Sequence, residues 1–483
     1  MKRRKLKLLL ALLLILGLSS SVFAQELEEA FVHKLLSKVL PFKNLEFSGY
    51  LKNETALRMS GMDRFQKFNN VVNLQGNYKI KEGVDFFTTL RWFYDGAYDL
   101  DDGLYTKINS KEKNIKLKHP EKMLWLRDCY LDVYTDRLDI RAGKQQVVWG
   151  TADGIRILDM INPLDYREWT LRDYSDIRIP LWMLNMEGEL LADGHLQFLV
   201  IPDYTPNYYA PAGSPFELRT VRLAAEAAEK YTVSTIDQKP AHQFEHNKYG
   251  LRWRNVIGAG YAQGLEYTLN YLHTYDFASS AYMKYGATIF ATRRAEQVEV
   301  LGGTFSKSIT KGILGIPGLG KGWTLRGEFA AILNGAMNYG TDTLVIGTAD
   351  TDQYNYVLGF DKNFWSNWVF SFQFIQLIAH ATENFDKTSY TLLNGATRGP
   401  LDRVENTLTC KISTDFMHER LKPEVLVLYG DDNDWRISPK LSYEINDRWM
   451  ITAGVHIFEG KTMYLNGQFD KNDQVFFETK YSF

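Results

Sequence analysis

The feature that most constrains the fold is the final decapeptide, QVFFETKYSF, in which apolar and polar side chains alternate. In an extended strand this alternation places Val475, Phe477, Tyr481 and Phe483 on one face, opposite a mostly charged face. A soluble protein seldom leaves such a strand as an exposed aromatic edge, because unpaired edges promote aggregation. A closed barrel in a membrane has no edges. The C-terminus therefore favours a transmembrane β-barrel.

The N-terminus predicts export from the cytoplasm. Five cationic residues between Lys2 and Lys7 precede an apolar stretch, Leu8 to about Leu18, and a small-residue site that ends at Ala24. This order is typical of a secretory signal peptide, whereas a membrane anchor would need a longer apolar run. We therefore expect residues 1–24 to be removed. Of the 56 Lys and Arg, five would leave with the signal, so 51 would face 58 Asp and Glu, which argues against nucleic acid as a partner.

The rest of the composition also fits a barrel. Aromatic residues make up 14% of the chain, yet no later stretch is long and apolar enough for a transmembrane helix. In a barrel strand only every second residue faces lipid, so a membrane protein can be rich in aromatic residues without a long apolar stretch. The two cysteines, Cys129 and Cys410, are interpreted as small apolar side chains. No motif for a catalytic group, a metal or another cofactor stands out, so none is predicted.

The alternating segments predict an all-β, transmembrane antiparallel barrel of about 18 strands, with 16 and 20 as the limits. Strand connections alternate between short periplasmic turns and long outer loops, as in bacterial barrels. The predicted outer loops include 150–178, 204–245 and 334–352, and the strand-like run 285–293 is assigned to another outer loop. The barrel is expected to occupy residues 45–483. Residues 25–44 are expected to form a periplasmic segment with a short amphipathic helix, because Phe31, Leu35, Leu36 and Val39 recur at helical spacing.

The same alternation predicts which residues line the lumen. An arginine that faces lipid near the bilayer midplane costs about 2–4 kcal/mol, so charged positions should point inward. These charged residues either solvate the lumen wall or form a surface that selects the solute, and the sequence does not decide between these two roles. The predicted lumen-wall residues are Asp128, Asp132, Arg141, Arg252, Arg254, Arg326, Glu328, Arg436 and Lys440.

The strongest local signal is the segment 141–183, where a strand leads into a loop rich in both charged and apolar residues. A charged surface loop is usually solvent-exposed, and that alternative stays open, but apolar residues such as Ile157, Ile161 and Trp169 need cover, which they would find if loop 150–178 folded into the barrel. Charged groups at a constriction set the selectivity of pores. The predicted constriction residues are Arg156, Asp159, Asp165, Arg167, Arg172, Asp173 and Arg178.

Two parts of the sequence resemble known proteins. The terminal strand resembles those that the outer-membrane assembly machinery reads, with Tyr481 and Phe483 as the assembly signal. The string GKQ at 143–145, WG at 149–150, INPLD at 161–165 and RIP at 178–180 resembles a porin-like outer-membrane family of proteobacteria that is catalogued as a domain of unknown function. This resemblance implies a barrel found alongside resistance-nodulation-division exporters and a periplasmic carrier. It implies no substrate and no catalytic residue.

We therefore expect an outer-membrane, porin-like channel of a Gram-negative bacterium, embedded in outer-membrane lipid. A small polar or anionic solute would diffuse through a lumen narrowed by loop 150–178. The alternative is a channel for hydrophobic, lipid-like compounds, which the apolar content of the loop and the resemblance favour. A barrel adhesin and a barrel enzyme are the minor alternatives.

Overall fold

The structure, a computed structural model, describes residues 44–60, 65–100, 125–190, 194–240, 246–260, 262–309, 322–365, 367–382, 387 and 389–483. The predicted signal peptide and the predicted N-terminal helix lie outside these ranges. Within them, no helix has the length and apolarity needed to cross a membrane.

Eighteen strands form one closed antiparallel barrel, which confirms the predicted fold class and strand number. Each strand pairs with the next in sequence, and the first and last strands close the ring from Tyr50 opposite Ser482 to Arg58 opposite Gln474. The bounds are β1 Leu45–Arg58, β2 Phe65–Lys81, β3 Val84–Asp95, β4 Leu126–Tyr134, β5 Leu138–Gln145, β6 Leu181–Leu190, β7 Gly194–Ile201, β8 Lys248–Val256, β9 Leu265–Tyr275, β10 Gln297–Ile309, β11 Trp323–Gly340, β12 Val345–Phe364, β13 Trp368–Ala381, β14 Val404–Ser413, β15 Leu421–Gly430, β16 Asp434–Glu444, β17 Trp449–Glu459 and β18 Gln474–Ser482.

The alternation that defines the strands also separates the two faces of the wall. Outward positions carry large exposed apolar groups, such as Leu269 (61% exposed), Leu358 (52%) and Phe477 (47%). Inward positions carry most of the charge, as on β16, where Arg436 and Lys440 face the lumen. A wall that is apolar outside and polar inside is the pattern of a barrel in a bilayer.

Most long connections lie at one end of the barrel and most short turns at the other; the turns 341–344 and 431–433 at the long-loop end, and the 13 residues between β10 and β11 at the other, are exceptions. The prediction of a long outer loop over 334–352 is wrong, because β11 and β12 continue their pairing up to a short turn at 341–344. The run 285–293 does belong to a long connection. There, Ser280–Lys284, Ile289–Arg294 and Val233–Gln238 form a separate three-stranded sheet.

The remaining elements belong to connections between barrel strands. They are the helices α1 Ala97–Leu100, α2 Tyr174–Ile177 and α3 Arg219–Lys230, the 3-10 turns Asp431–Asn433 and Gly467–Asn472, and the short strands Asp165–Thr170, Tyr208–Tyr209 and Thr391–Leu392. Several of these connections pack together at the long-loop end. Phe216, Phe458 and Phe469 form a buried cluster there, and Trp169 of the 146–180 connection packs against it. The backbone N–H of Arg219 donates to Gln468, and its guanidinium donates to the Thr397 carbonyl at 2.6 Å.

Candidate functional site

The connection between β5 and β6, residues 146–180, packs against the inner face of the barrel; we call it the inner loop. Its residues Ile157, Leu158 and Ile161 are at most 1% exposed. They pack, with Val147 and Trp149, against apolar residues of one half of the wall, which we call the inner core: Leu181, Met183, Leu199, Ile201, Leu272, Val298, Val300, Ala330, Ile332, Val357 and Ile375. Apolar side chains on a lumen wall need such cover, so the loop and this half of the wall stabilise each other.

The residues that carry the family resemblance fix where the loop leaves and re-enters the wall. Gly143 has φ +138°, and a Cβ there would lie 2.3 Å from the Cys129 carbonyl oxygen, so only glycine fits. Trp149 is buried, and its indole N–H donates to Gln197 on β7 at 2.8 Å. These contacts turn the chain from β5 into the lumen.

Asn162 holds the two ends of the inner loop together through one amide group. Its Oδ1 accepts from the backbone N–H of Val147 at 2.9 Å, and its Nδ2 donates to the Ile179 carbonyl at 2.9 Å. The backbone N–H of Ile179 also donates to the Pro163 carbonyl at 2.8 Å. A side-chain amide that satisfies buried backbone groups on both sides makes the loop a closed unit.

Glu328 of β11 anchors the middle of the inner loop. Its Oε2 accepts from the backbone N–H groups of Thr151 at 2.7 Å and Ala152 at 3.2 Å, and its Oε1 accepts from that of Leu158 at 2.5 Å. The carboxylate is 3% exposed. A buried carboxylate that accepts three backbone N–H groups is strongly bound, so Glu328 positions the loop rather than a solute.

A second wall contact holds the turn of the loop at Asp153. Arg326, also on β11, pairs with Asp153 at 2.5 Å and with Asp361 at 3.0 Å. The amide of Gln373 on β13 both accepts from the Asp153 N–H and donates to its carbonyl. The turn is therefore fixed to two strands.

The charged half of the loop reaches the opposite half of the wall. Asp165 is buried and pairs with Arg167 at 2.6 Å and with Arg172 at 3.1 Å. Glu168 pairs with Lys67 of β2 at 2.8 Å. The loop therefore contacts the lumen wall on both sides.

Strands β1 to β4 provide charged partners that the sequence reasoning missed. Asp176 of the loop pairs with Arg91 at 2.9 Å and with Lys52 at 3.6 Å, and Lys52 also pairs with Glu54 at 2.6 Å. Lys52 and Glu54 are two residues apart in a strand. The alternation that predicted the lumen-facing residues of the later strands would therefore have identified them too.

Ion pairing keeps Asp165 and Asp176 charged, although Asp165 is buried and Asp176 is half-buried. Burial alone would raise the pKa of Asp165, but Arg167 and Arg172 more than offset it and hold the pKa well below its ordinary value. Burial likewise opposes ionisation of Asp176, and Arg91 and Lys52 lower its pKa well below the usual range. Stability from these pairs is present at neutral pH and is lost only as the pH falls through these depressed values.

The other predicted constriction residues divide by environment. Asp159 is buried and pairs with Arg178 at 2.7 Å. Arg156 donates to the Asn162 carbonyl at 2.7 Å and lies over the Phe277 ring. Asp173 stays exposed at the start of α2. Most of the predicted charges are thus neutralised within the loop.

The predicted lumen-wall residues form two groups. Arg252, Arg326, Glu328 and Arg436 contact the inner loop; Arg252 donates to the Val148 carbonyl at 3.2 Å. Of the others, Arg141 pairs with Asp132 at 2.6 Å, Arg254 with Glu187 at 3.1 Å and Lys440 with Glu424 at 3.0 Å on the wall. Asp128 lies opposite Thr89 of β3 and accepts a hydrogen bond from Gln146 at the start of the inner loop.

Two buried cations have no carboxylate partner among the described residues. Lys248 is 1% exposed, its Nζ has no hydrogen-bond partner, and the Phe277 ring centre lies 5.1 Å away. Arg436 is 3% exposed and donates only to Thr170, with its Nε unsatisfied. Burying a charge without a counter-charge is costly, so these two groups indicate a requirement other than stability.

We expect the variant Lys248→Met to raise the thermal unfolding temperature of the refolded barrel. Methionine has a similar volume and removes a buried amino group that has no hydrogen-bond partner among the described residues, so we expect a gain of about 1–3 kcal/mol. Lys440→Met is the matched control and should not stabilise, since Lys440 pairs with Glu424. Heat-dependent gel mobility measures both temperatures. A lower unfolding temperature for Lys248→Met would contradict the assignment.

A closed barrel with a polar lumen crossed by an inner loop defines a porin-like transmembrane β-barrel. Among the described residues, no group of three or more His, Cys, Asp or Glu side chains could hold a metal ion. Residues 52–483 match the family described as "Protein of unknown function (DUF1302)", and the chain belongs to this family.

Several solved structures are similar in fold at low identity. Pseudomonas aeruginosa OccK8 (OprE) is 12% identical, with 92% of this chain and 98% of that one aligned and a TM-score of 0.48. Acinetobacter baumannii OccAB2 is 10% identical over 92% and 98%, also with a TM-score of 0.48. Salmonella typhi OmpF, in complex with daunomycin, is 10% identical over 91% and 97%, with a TM-score of 0.41. No curated protein sequence matches the chain significantly.

Proposed function

We propose that the protein is a non-enzymatic channel in the outer membrane of a Gram-negative bacterium, through which a small polar or anionic solute diffuses. The observation that carries this proposal is the inner loop, which contacts both halves of the lumen wall and so narrows any passage. A closed barrel without a folded loop across it would be a wide pore.

The charge distribution supports an anionic solute. Arg156 and Arg436 lie within or beside the inner loop and have no carboxylate within 4 Å among the described residues. The buried carboxylates Asp159, Asp165 and Glu168 are each paired with a cation. Two unpaired guanidinium groups at the loop favour anions there, although Glu328 and Asp173 also lack a cation in the described part of the chain and the exported chain carries a net negative charge.

Single-channel recording of the refolded chain in a planar bilayer tests the proposal. We expect a small steady current that is anion-selective in a salt gradient. A barrel that never conducts salt, although its folded state migrates normally on a gel, would contradict diffusion of a polar solute.

Removal of an unpaired cation should reduce this selectivity. We expect Arg156→Ser and Arg436→Gln each to lower the anion-to-cation permeability ratio by about twofold, which corresponds to roughly 0.4 kcal/mol. Arg293→Ser is the control, because Arg293 pairs with Asp237 in the outer three-stranded sheet, away from the lumen. Reversal potentials measure the ratio. If all three variants kept the wild-type permeability ratio, Arg156 and Arg436 would not act on ions in the passage.

The inner core supports a second candidate, a channel for hydrophobic compounds. Eleven apolar residues of the wall face the lumen beneath the inner loop. They would form an apolar track if the loop moved, and a periplasmic carrier and an inner-membrane exporter would then be the partners. Transfer of an apolar dye between the two sides of a barrel that conducts no salt would favour this candidate.

A further inference from the structure

A small cavity lies between the charged half of the inner loop and strands β1 to β4. Its volume is about 50 Å³. Four cationic side chains line it, Lys52, Arg91, Arg127 and Arg172, together with the carboxylates of Glu54, Asp165 and Asp176. A cavity of this volume holds a few water molecules, which is also the space that a small anion needs.

The three carboxylates of the cavity are each matched by one of its cations. Glu54 pairs with Lys52 at 2.6 Å, Asp176 with Arg91 at 2.9 Å and Asp165 with Arg172 at 3.1 Å.

Arg127 is the cation that remains. Its Nη2 donates to the Ser175 carbonyl, and no carboxylate among the described residues lies within 4 Å of its guanidinium. The side chains that line the cavity therefore carry one surplus positive charge, and Arg127 is attracted to Asp128 and Asp176 without forming an ion pair with either.

The backbone of β4 directs Arg127 toward this cavity. The pairing of β3 with β4 shifts by one residue between Thr89 and Leu90, so Arg127 has no partner in the register. Such a β-bulge adds one residue to a strand and re-aims its side chain. Arg127 and the inward-facing Asp128 are therefore consecutive residues of the lumen side. A bulge that brings a further cation into an already charged cavity indicates a role for that cation.

We propose that this cavity binds one small monovalent anion, either a halide or the carboxylate group of a solute, with Arg127 as the group that the anion neutralises. The inference deepens the proposed function, because the cavity adjoins the inner loop. Equilibrium binding to the site does not require that the barrel conduct.

Thermal unfolding of the refolded full-length exported chain in detergent tests the site. Sodium formate is titrated against sodium gluconate at constant ionic strength, because formate fits the cavity and six-carbon gluconate is too large. A ligand that binds only the folded state raises the unfolding temperature. We expect a saturable rise of several degrees with formate and none with gluconate. A titration with sodium chloride in place of formate distinguishes a halide from a carboxylate ligand. A similar rise in unfolding temperature identifies a general small-anion site, and no rise identifies a carboxylate site.

Variants of Arg127 make the test specific. We expect Arg127→Gln to weaken the formate response at least tenfold, and Arg127→Lys, which keeps the charge, to retain a weaker response. Arg254→Gln is the control, since it removes a lumen arginine outside the cavity and should keep the wild-type midpoint. Arg127→Lys keeps the test valid if Arg127→Gln fails to fold.

The outcomes separate the site from the channel. Equal responses to formate and gluconate, or an unchanged formate midpoint in Arg127→Gln, would overturn the anion site and leave the proposed function standing. A barrel that binds formate saturably but never conducts would keep the site and overturn the proposed function.

Discussion

Replacement of residues 153–176 by a short Gly-Ser linker is expected to raise the single-channel conductance several-fold. The replaced segment includes Ile157, Leu158 and Ile161, which cover the inner core, and Asp176, which reaches β1 and β3. Its removal takes away the contacts that the inner loop makes across the lumen. Conductance of an aqueous pore rises with the area of its narrowest section, so the wider lumen should carry more current.

The control for this experiment is the same linker placed at residues 282–292 in the outer three-stranded sheet. This sheet is separate from the barrel sheet, so its replacement should leave the conductance unchanged. Equal conductance for the wild type and the 153–176 variant would mean that ions do not pass the inner loop. If neither the wild type nor the 153–176 variant conducted ions, the lumen would be closed elsewhere, and a channel for hydrophobic compounds would gain support.

The barrel was predictable because its signal is local. On β8, Leu251 and Trp253 alternate with Arg252 and Arg254. The sequence of a single strand therefore shows which residues face outward and which face the lumen. The bounds of β11 and β12 were less predictable. Glycine and polar residues between 334 and 352, such as Gly335 and Gly347, indicate a loop. The two strands nevertheless remain paired with each other up to Gly340 and Val345.

The pairing of the inner loop was not predictable, because it depends on contacts distant in sequence. Asp176 and Lys52 are 124 positions apart, and the path of the loop back over β1 to β4 brings them together. The sequence showed that the loop is rich in charge and in apolar residues. It could not show that Asp165 would be neutralised by Arg167 and Arg172 while Arg436 would have no carboxylate, since these outcomes depend on the register of the whole barrel.

Glu328→Ala should destabilise the barrel and loosen the inner loop. The substitution leaves the backbone N–H groups of Thr151, Ala152 and Leu158 without their acceptor in a buried site. Hydrogen bonds to a charged group contribute about 1.5–3 kcal/mol each, so the loss should total about 3 kcal/mol or more. We expect a lower thermal unfolding temperature and a noisier current with transitions to larger conductance.

Two further variants separate the anchor from a general charge effect. Glu328→Gln keeps one acceptor oxygen and should lie between the wild type and Glu328→Ala in both measurements. Glu424→Ala also removes a lumen carboxylate, but this one pairs with exposed Lys440 on the wall, and exposed pairs contribute about 1 kcal/mol or less. If Glu424→Ala and Glu328→Ala gave the same unfolding temperature and the same current noise, Glu328 would not anchor the loop. A large effect confined to Glu328 would mean that one buried carboxylate on β11 sets the position of the inner loop and therefore the width of the passage.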